Sequence, residues 1–329
     1  MNIDPYVELY TGDALTVLKT LQPESVQCCI TSPPFWGLRN YECDGQLGIE
    51  KTPEEYVSNI VDVFRAIKSA LKKDGICWLN LGDSYAGGGR GWEYCKEKGK
   101  QLTNKGIIGV PKSIIPKGLK PKDLVGIPWR VAFALQADGW YLRQDIVWSK
   151  PNTFPESVTD RCTKAHEYIF LLSKSQKYYF DNEAIKEKTI TNDDSVRDRD
   201  NSKLNNTPGR TRMAGLTTNS YEMRNKRSVW EINTAPYKEA HFATFPPELV
   251  QPMVLAGCPI GGTVIDPFAG SGTTLEVAKS LNRKSIGIEL NPTYCELIKK
   301  RVSNVTLPMD FGEELNISEE VINYGAKLI

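Results

Sequence analysis

The sequence predicts an α/β fold, a sheet with helices packed on both faces. Two observations carry this reading. Strand-like apolar runs alternate with amphipathic helical stretches over most of the 329 residues. Near the C-terminus, GGTVIDPFAGSGTTLEVAKSLNRKSIGIELNPTYCELIKKRV reads as strand, Gly-rich turn, helix, second strand and second helix.

In chain order, YVELYTG is a strand leading into the helix DALTVLKTL, and VQCCITSPP is the next strand. TPEEYVSNIVDVFRAIKSALKKDG reads as a helix with Thr52 as N-cap, Pro53 at its first position and Gly75 at its end. It delivers the chain into the strand ICWLNLGD. Over 84–123 the pattern dissolves into Gly- and Lys-rich sequence, which predicts a mobile basic loop. IPWRVAFALQADG is then a helix, and YLRQDIVWSK and EYIFLLSKS are strands expected to pair antiparallel at a sheet edge. From about 182 to 228 Asn, Thr, Asp and Arg dominate without periodicity, the signature of an irregular insertion. No internal repeat is present.

With 40% apolar and 25% charged residues, the composition is that of an ordinary globular protein. The net charge of +1 hides opposed patches: Arg90 to Lys122 holds nine Lys or Arg against two Glu, and Lys203 to Arg227 six against one. The eight cysteines form no C-x-x-C pair, so reduced structural thiols are expected, with no metal and no disulfide framework. His166 and His241, the two histidines, are too few and unpatterned for a metal site. The N-terminus lacks a signal-peptide pattern and no run approaches the roughly 18 apolar residues of a membrane span, so a cytoplasmic protein is expected.

Two stretches carry chemistry. In ITSPPFWGLRNY, adjacent prolines fix their φ angles and supply no N–H, so Ser32, Pro33, Pro34 and Phe35 form a stiff corner with unpaired carbonyls at a strand end. In the C-terminal stretch the Gly-rich turn lets a ligand approach the backbone and the helix start, and Glu289, 23 residues after Asp266, suits a ribose diol. Asp266 just before the turn disfavours a pyrophosphate and suits a cation such as the α-ammonium of S-adenosylmethionine.

With SPPF (Ser32 to Phe35) preceding FAGSG (Phe268 to Gly272), the sequence resembles the S-adenosylmethionine-dependent DNA amino-methyltransferases of the permuted class with that motif order. The resemblance covers nearly the whole chain apart from the two basic irregular segments and the tail after about residue 304. It implies a Rossmann-like methyltransferase fold with a mixed, mostly parallel sheet and a small irregular target-recognition region. The implied divisions are a catalytic half over 1–181 with the basic loop, a recognition region over 182–235, a cofactor-binding half over 236–304 and a tail over 305–329.

The resemblance also assigns residues. Asp13 in LYTGDAL would contact adenine, Glu289 the ribose hydroxyls, and Phe245 in HFATFPPELV would belong to the segment closing over the methionine end. Asp266, Phe268, Gly270, Gly272, Thr273 and Thr274 complete the cofactor set, with S-adenosylmethionine as cofactor and no metal. Arg210, Arg212, Arg224, Lys226 and Arg227 would supply phosphate contacts or guanine-reading forks, and Arg39 either a phosphate contact or a surface ion pair. The implied partner is double-stranded DNA, with a cognate restriction endonuclease on the same site as a second partner and a monomer or homodimer as the assembly.

The chemistry explains the residue types. An exocyclic amine is a poor nucleophile inside a duplex, so the base must leave the stack. Phe35 then offers a face, and the Ser32 hydroxyl and a freed carbonyl, that of Pro33, accept the two amine hydrogens. Ser before Pro-Pro occurs mostly in the cytosine-modifying members, so the 4-amino nitrogen of cytosine is favoured and the 6-amino nitrogen of adenine is the alternative. An RNA or protein methyltransferase and a catalytically silent DNA-binding module remain as rivals. Carbon-5 methylation needs a Pro-Cys nucleophile, whereas Cys258-Pro259 reads in reverse order. Trp36 reads equally as pocket wall or core, and Asp83 equally as substrate contact or helix cap.

Overall fold

The structure, a computed structural model, describes residues 2–39, 41, 43–87, 115–189, 222–235 and 245–305. The strands are β1 (Asn2–Asp4), β2 (Val7–Thr11), β3 (Val26–Thr31), β4 (Leu71–Leu81), β5 (Tyr141–Ser149), β6 (His166–Ser173), β7 (Glu187–Lys188), β8 (Met223–Arg224), β9 (Val229–Glu231), β10 (Thr263–Asp266) and β11 (Lys284–Glu289). The helices are α1 (Ala14–Leu18), α2 (Pro53–Ala70), α3 (Ile127–Ala137), α4 (Pro247–Gly257), α5 (Thr273–Ser280) and α6 (Pro292–Ser303).

Nine strands form one sheet in the order β1-β2-β11-β10-β3-β4-β6-β5-β9. The run from β2 to β4 is parallel throughout, β6 is antiparallel to both its neighbours, and β9 adds parallel to β5. This is the mixed, mostly parallel Rossmann-like sheet expected of the family. Successive residues alternate between two cores: Cys29, Cys77 and Leu79 pack with α2 and α3 on one face, and Cys28, Ile30, Ile76 and Trp78 pack with α4 and α5 on the other. A third apolar cluster joins β2 to α5 and α6 through Val7, Leu9, Leu275 and Ile298.

Strands β3 and β10 are sheet neighbours, but the chain leaves β10 toward β11 on one side and β3 toward β4 on the other. That is a topological switch point, where the strand ends leave a crevice for ligands. The SPPF corner follows β3 and the Gly-rich turn follows β10, so the fold brings together two motifs more than 230 residues apart in sequence, as the 235-residue separation of the bridging pair Thr31–Asp266 records.

Three elements differ from the sequence reading. The start of α2 is as expected, with Thr52 Oγ1 accepting from Glu55 N at 3.1 Å, but the helix stops at Ala70 instead of running to Gly75. Leu71 is already extended and pairs with Val26 of β3, so sheet pairing of a fully buried leucine overrides the local helix preference of the Lys-rich continuation. Strands β5 and β6 do pair antiparallel, but β9 lies outside β5 and forms the edge. Trp230, at the centre of β9, is 5% exposed and packs on Trp78, so burial of one aromatic side chain fixes a strand too short to show a period. Helix α1 is confined to five residues.

Among the described residues no helix is long and apolar enough to cross a membrane. The basic loop falls largely outside them; of its cations, Lys120 pairs with Asp123 at 2.9 Å and Lys122 with Asp160 at 2.5 Å.

Candidate active site

A cavity of about 320 Å³ opens along the strand ends at the switch point, within the range of small-molecule sites. Ser32, Pro33, Pro34, Phe35, Asp13, Phe245, Asp266, Phe268, Gly270, Thr273, Thr274, Glu289 and Arg39 all line it. The two sequence motifs therefore share one chamber.

On the β10–β11 side, two carboxylates are braced by donors. Glu289, at the end of β11, accepts from Gly270 N and Asn291 N, both at 2.8 Å, one on each oxygen. A lone pair remains on each oxygen, which is the arrangement that takes a vicinal diol. Burial pushes the Glu289 carboxyl up against these two backbone bonds. Asp266, 3% exposed, accepts from Thr31 Oγ1 at 2.8 Å, Phe268 N at 3.1 Å and Thr274 Oγ1 at 2.7 Å. Burial pushes its carboxyl up to about 6 despite those bonds. A single acceptor position is left, and a cation there would repay the desolvation.

The Gly-rich turn divides its work. Gly270, at φ 53°, offers backbone to the cavity and binds Glu289. Gly272 does not line the cavity. At φ 80° it caps α5, and a Cβ there would lie 3.0 Å from Ile298 Cγ1, so its place in the motif reflects close packing of α6. Thr274 is committed to holding Asp266, and Asp13 caps α1 by accepting from Thr16 N at 2.8 Å while facing the cavity.

On the β3–β4 side, the proline corner is clamped. Tyr56 OH donates to the Pro34 carbonyl at 3.0 Å. The Phe35 ring rests on the backbone of Gly82, where a Cβ would come within 2.6 Å of Cε2. Among the described residues none donates to the Pro33 carbonyl.

Ser32 Oγ donates to Asn80 Oδ1 at 3.1 Å, and Asn80, 2% exposed, donates through Nδ2 to the Tyr168 carbonyl at 3.2 Å. A carbonyl only accepts, so the Asn80 amide is oriented, and the Ser32 proton is drawn onto it. The serine lone pairs are thereby left for another donor.

Asp83 accepts from Gly126 N at 3.0 Å and Ile127 N at 3.1 Å, so it caps α3 and does not line the cavity. Trp36 packs on the core and donates to the Glu50 carbonyl at 3.0 Å. Arg39 lies beside the Tyr41 hydroxyl in the cavity wall. Arg224 and Arg227 both pair with Glu187, at 2.9 and 2.7 Å, and Lys226 lies 5.1 Å over the Trp230 ring. Arg210, Arg212 and His241 fall outside the described residues. His166 stacks edge-on against Tyr168.

Among the described residues no cluster could hold a metal ion. Cys258 is fully buried, away from the cavity, and burial pushes its thiol up to about 12, which removes it as a nucleophile.

Several cavity residues were not singled out from sequence. Asn80 had one signal, a lone amide in the apolar run ICWLNL. Lys150, Glu167, Tyr41 and Tyr294 also line the chamber and had none.

A strand-end crevice with two braced carboxylates facing a proline corner defines a nucleotide-cofactor enzyme of the Rossmann-like methyltransferase fold. The DNA methylase family of N6/N4 amino-methyltransferases matches residues 26–300, and the chain belongs to that family. Type II methyltransferase M.SmaI of Serratia marcescens is 47% identical over 295 residues, spanning 90% of each chain. Among solved structures, the cytosine-N4-specific PvuII DNA methyltransferase superposes with a TM-score of 0.61 at 20% identity, covering 97% of this chain and 90% of its own. TTHA0409 of Thermus thermophilus, solved in complex with S-adenosyl-L-methionine, gives 0.54 at 20% identity, covering 90% of this chain and 93% of its own.

Proposed function

We propose that this DNA amino-methyltransferase moves a methyl group from S-adenosylmethionine to the 4-amino nitrogen of a cytosine flipped out of double-stranded DNA. The observation that carries the reading is the Ser32 hydroxyl, set as an acceptor by Asn80 in the chamber that holds Asp266 and Glu289. The cytosine-N4 specificity of the PvuII enzyme and the ligand of TTHA0409 are in keeping with it.

The residues present fit the cofactor. Glu289 has diol-accepting lone pairs, Asp266 one acceptor position in a buried site, and the turn from Phe268 to Gly270 offers backbone at close range. Bound there, S-adenosylmethionine supplies an electrophilic methyl carbon on a sulfonium.

The protein's own groups do the rest. Phe35 stacks on the extruded base, and Ser32 Oγ and the Pro33 carbonyl accept the two amine hydrogens. Those bonds turn the nitrogen lone pair toward the methyl donor and strengthen as positive charge grows on the amine. As the amine nitrogen gains the methyl carbon the C–S bond would break to leave a neutral thioether, the methylated amine would shed one proton to water, and no covalent bond to the protein forms. A neutral hydroxyl beside the ring nitrogen next to the amine avoids the repulsion a carboxylate would bring, in cytosine and adenine alike, and Ser before Pro-Pro, mostly the cytosine-modifying form in the family the sequence resembles, favours cytosine. Residues 182–235 serve as the target-recognition region, and a restriction endonuclease cutting the same site in the cytoplasm is the expected partner. Label transfer from methyl-tritiated cofactor to duplex DNA, with RNA as control, tests the reading; label in RNA alone would sink it.

The raised carboxyl of Asp266 makes a pH prediction. Free protein holds a proton on this group until about pH 6, and a cation binds only the ionised form. Cofactor affinity therefore falls as pH drops below about 6, by about tenfold at pH 5. Titration calorimetry between pH 5 and 8 reads this directly, and Asp266→Asn should flatten the profile. A wild-type profile that is already flat contradicts the ammonium contact.

A further inference from the structure

Next to the proline corner the chamber contains an ion pair that the mechanism above does not use. Lys150, just past the end of β5, is bonded to Glu167, the second residue of β6, and the two side chains are only 16% and 19% exposed. The Lys150 ammonium lies 4.2 Å from the centroid of the Trp148 ring, and Trp148 pairs with Glu167 in the sheet register. Both charged residues line the cavity.

Their position relative to the reacting end follows from a chain of bonds. Ser32 is bonded to Asn80, Asn80 to the Tyr168 carbonyl, and Tyr168 adjoins Glu167. Among the described residues lining the cavity the cations are Lys150 and Arg39, and Arg39 lies with Tyr41, whose surroundings include Glu289 on the cofactor side. Lys150 is thus the cation on the base side.

A largely buried ion pair is costly unless its remaining donors are used. An ammonium has three N–H groups, and Glu167 and the Trp148 face do not exhaust them. Ser32 and Pro33 take the amine of the flipped base, so the next wall meets the rest of its Watson–Crick edge. In cytosine that edge continues through ring nitrogen 3 to the carbonyl O2; in adenine it continues through ring nitrogen 1 to a C–H. A donor set beyond the ring nitrogen rewards cytosine alone.

We propose that Lys150, held against Trp148 by Glu167, donates to the O2 carbonyl of the flipped cytosine and makes the pocket select cytosine over adenine. This rests on the function proposed above. Lys150 is the specificity residue and Glu167 a positioning residue. The pair carries no net charge, so it does not oppose the positive charge that develops on the amine.

The test is a cycle between protein and substrate. The methylated site is first mapped by methylome sequencing of a host expressing the protein. Duplexes then carry at that position either cytosine or a 4-amino analogue lacking the O2 carbonyl. Wild type is compared with the doubly neutralised Lys150→Met, Glu167→Gln variant, whose fold is checked by S-adenosylmethionine binding. Loss of O2 should lower wild-type kcat/KM by about 30-fold and that of the variant by less than about threefold. Equal losses in both proteins would overturn the contact. A wild type indifferent to O2 overturns it too, whether or not the variant folds. A wild type that yields only 6-methyladenine overturns the proposed function along with it, whereas equal losses in a protein that makes 4-methylcytosine leave that function standing.

Discussion

Ser32→Ala lowers the rate of methyl transfer about 10²-fold and leaves S-adenosylmethionine affinity within about a factor of two. Among the described residues the hydroxyl bonds to Asn80 Oδ1 at 3.1 Å, across the β3–β4 boundary, and to no cofactor-side group. Alanine removes the oriented acceptor without altering the corner, because the Tyr56 bond to the Pro34 carbonyl and the Phe35 contact with Gly82 do not pass through Ser32. The loss therefore appears in turnover under single-turnover conditions, where positioning of the amine lone pair sets the rate. Full activity would remove the tetrapeptide from the chemistry. A parallel loss of cofactor binding would mean that the corner is a structural brace of the whole chamber.

Asp266→Ala acts on the other half, weakening S-adenosylmethionine binding about 10²-fold, in the range of one lost charge-assisted bond in a desolvated site. Part of the effect is indirect. The carboxylate receives Thr31 Oγ1 from β3, Thr274 Oγ1 from α5 and Phe268 N from the turn, so its removal leaves three donors without their acceptor. Melting temperatures with and without saturating cofactor separate the two contributions: a general loss of stability lowers both, and loss of the ligand contact shrinks their difference. Duplex DNA affinity measured without cofactor should hardly change. Unaltered cofactor affinity would remove Asp266 from the ammonium site.

The two halves differ in how far the sequence reveals them. SPPF and DPFAGSG are contiguous, and each owes its behaviour to local backbone chemistry, prolines in one and glycines in the other, so residue identity alone marks them. Their joint meaning rests on the resemblance to a known family. Even there, local reading named residues without separating their tasks: Gly272 packs on Ile298, and Thr274 braces Asp266.

The unmarked contributors act across long separations. Asn80 meets Ser32 at a separation of 48 residues, Tyr56 meets Pro34 at 22, and Lys150 meets Glu167 because the end of β5 pairs with the start of β6, Ser149 opposite His166. The end of α2 and the place of β9 at the sheet edge depend on tertiary contacts in the same way. Helix preference near Lys72 and Lys73 is local, whereas the pairing of Leu71 with Val26 and the seat of Trp230 against Trp78 are tertiary. By its place in the sequence Asp83 suits a substrate contact and a cap equally, and the cap is decided by Gly126 N and Ile127 N, which donate to it across separations of 43 and 44 residues.

Methyl transfer to the 4-amino nitrogen of cytosine in DNA, as proposed, leaves a product that can be read chemically. The most direct measurement is mass spectrometry of nucleosides from duplex DNA incubated with the protein and S-adenosylmethionine, digested to completion and resolved against standards. The expected product is 4-methyl-2′-deoxycytidine, absent when the cofactor is left out. Appearance of 6-methyl-2′-deoxyadenosine alone would contradict it.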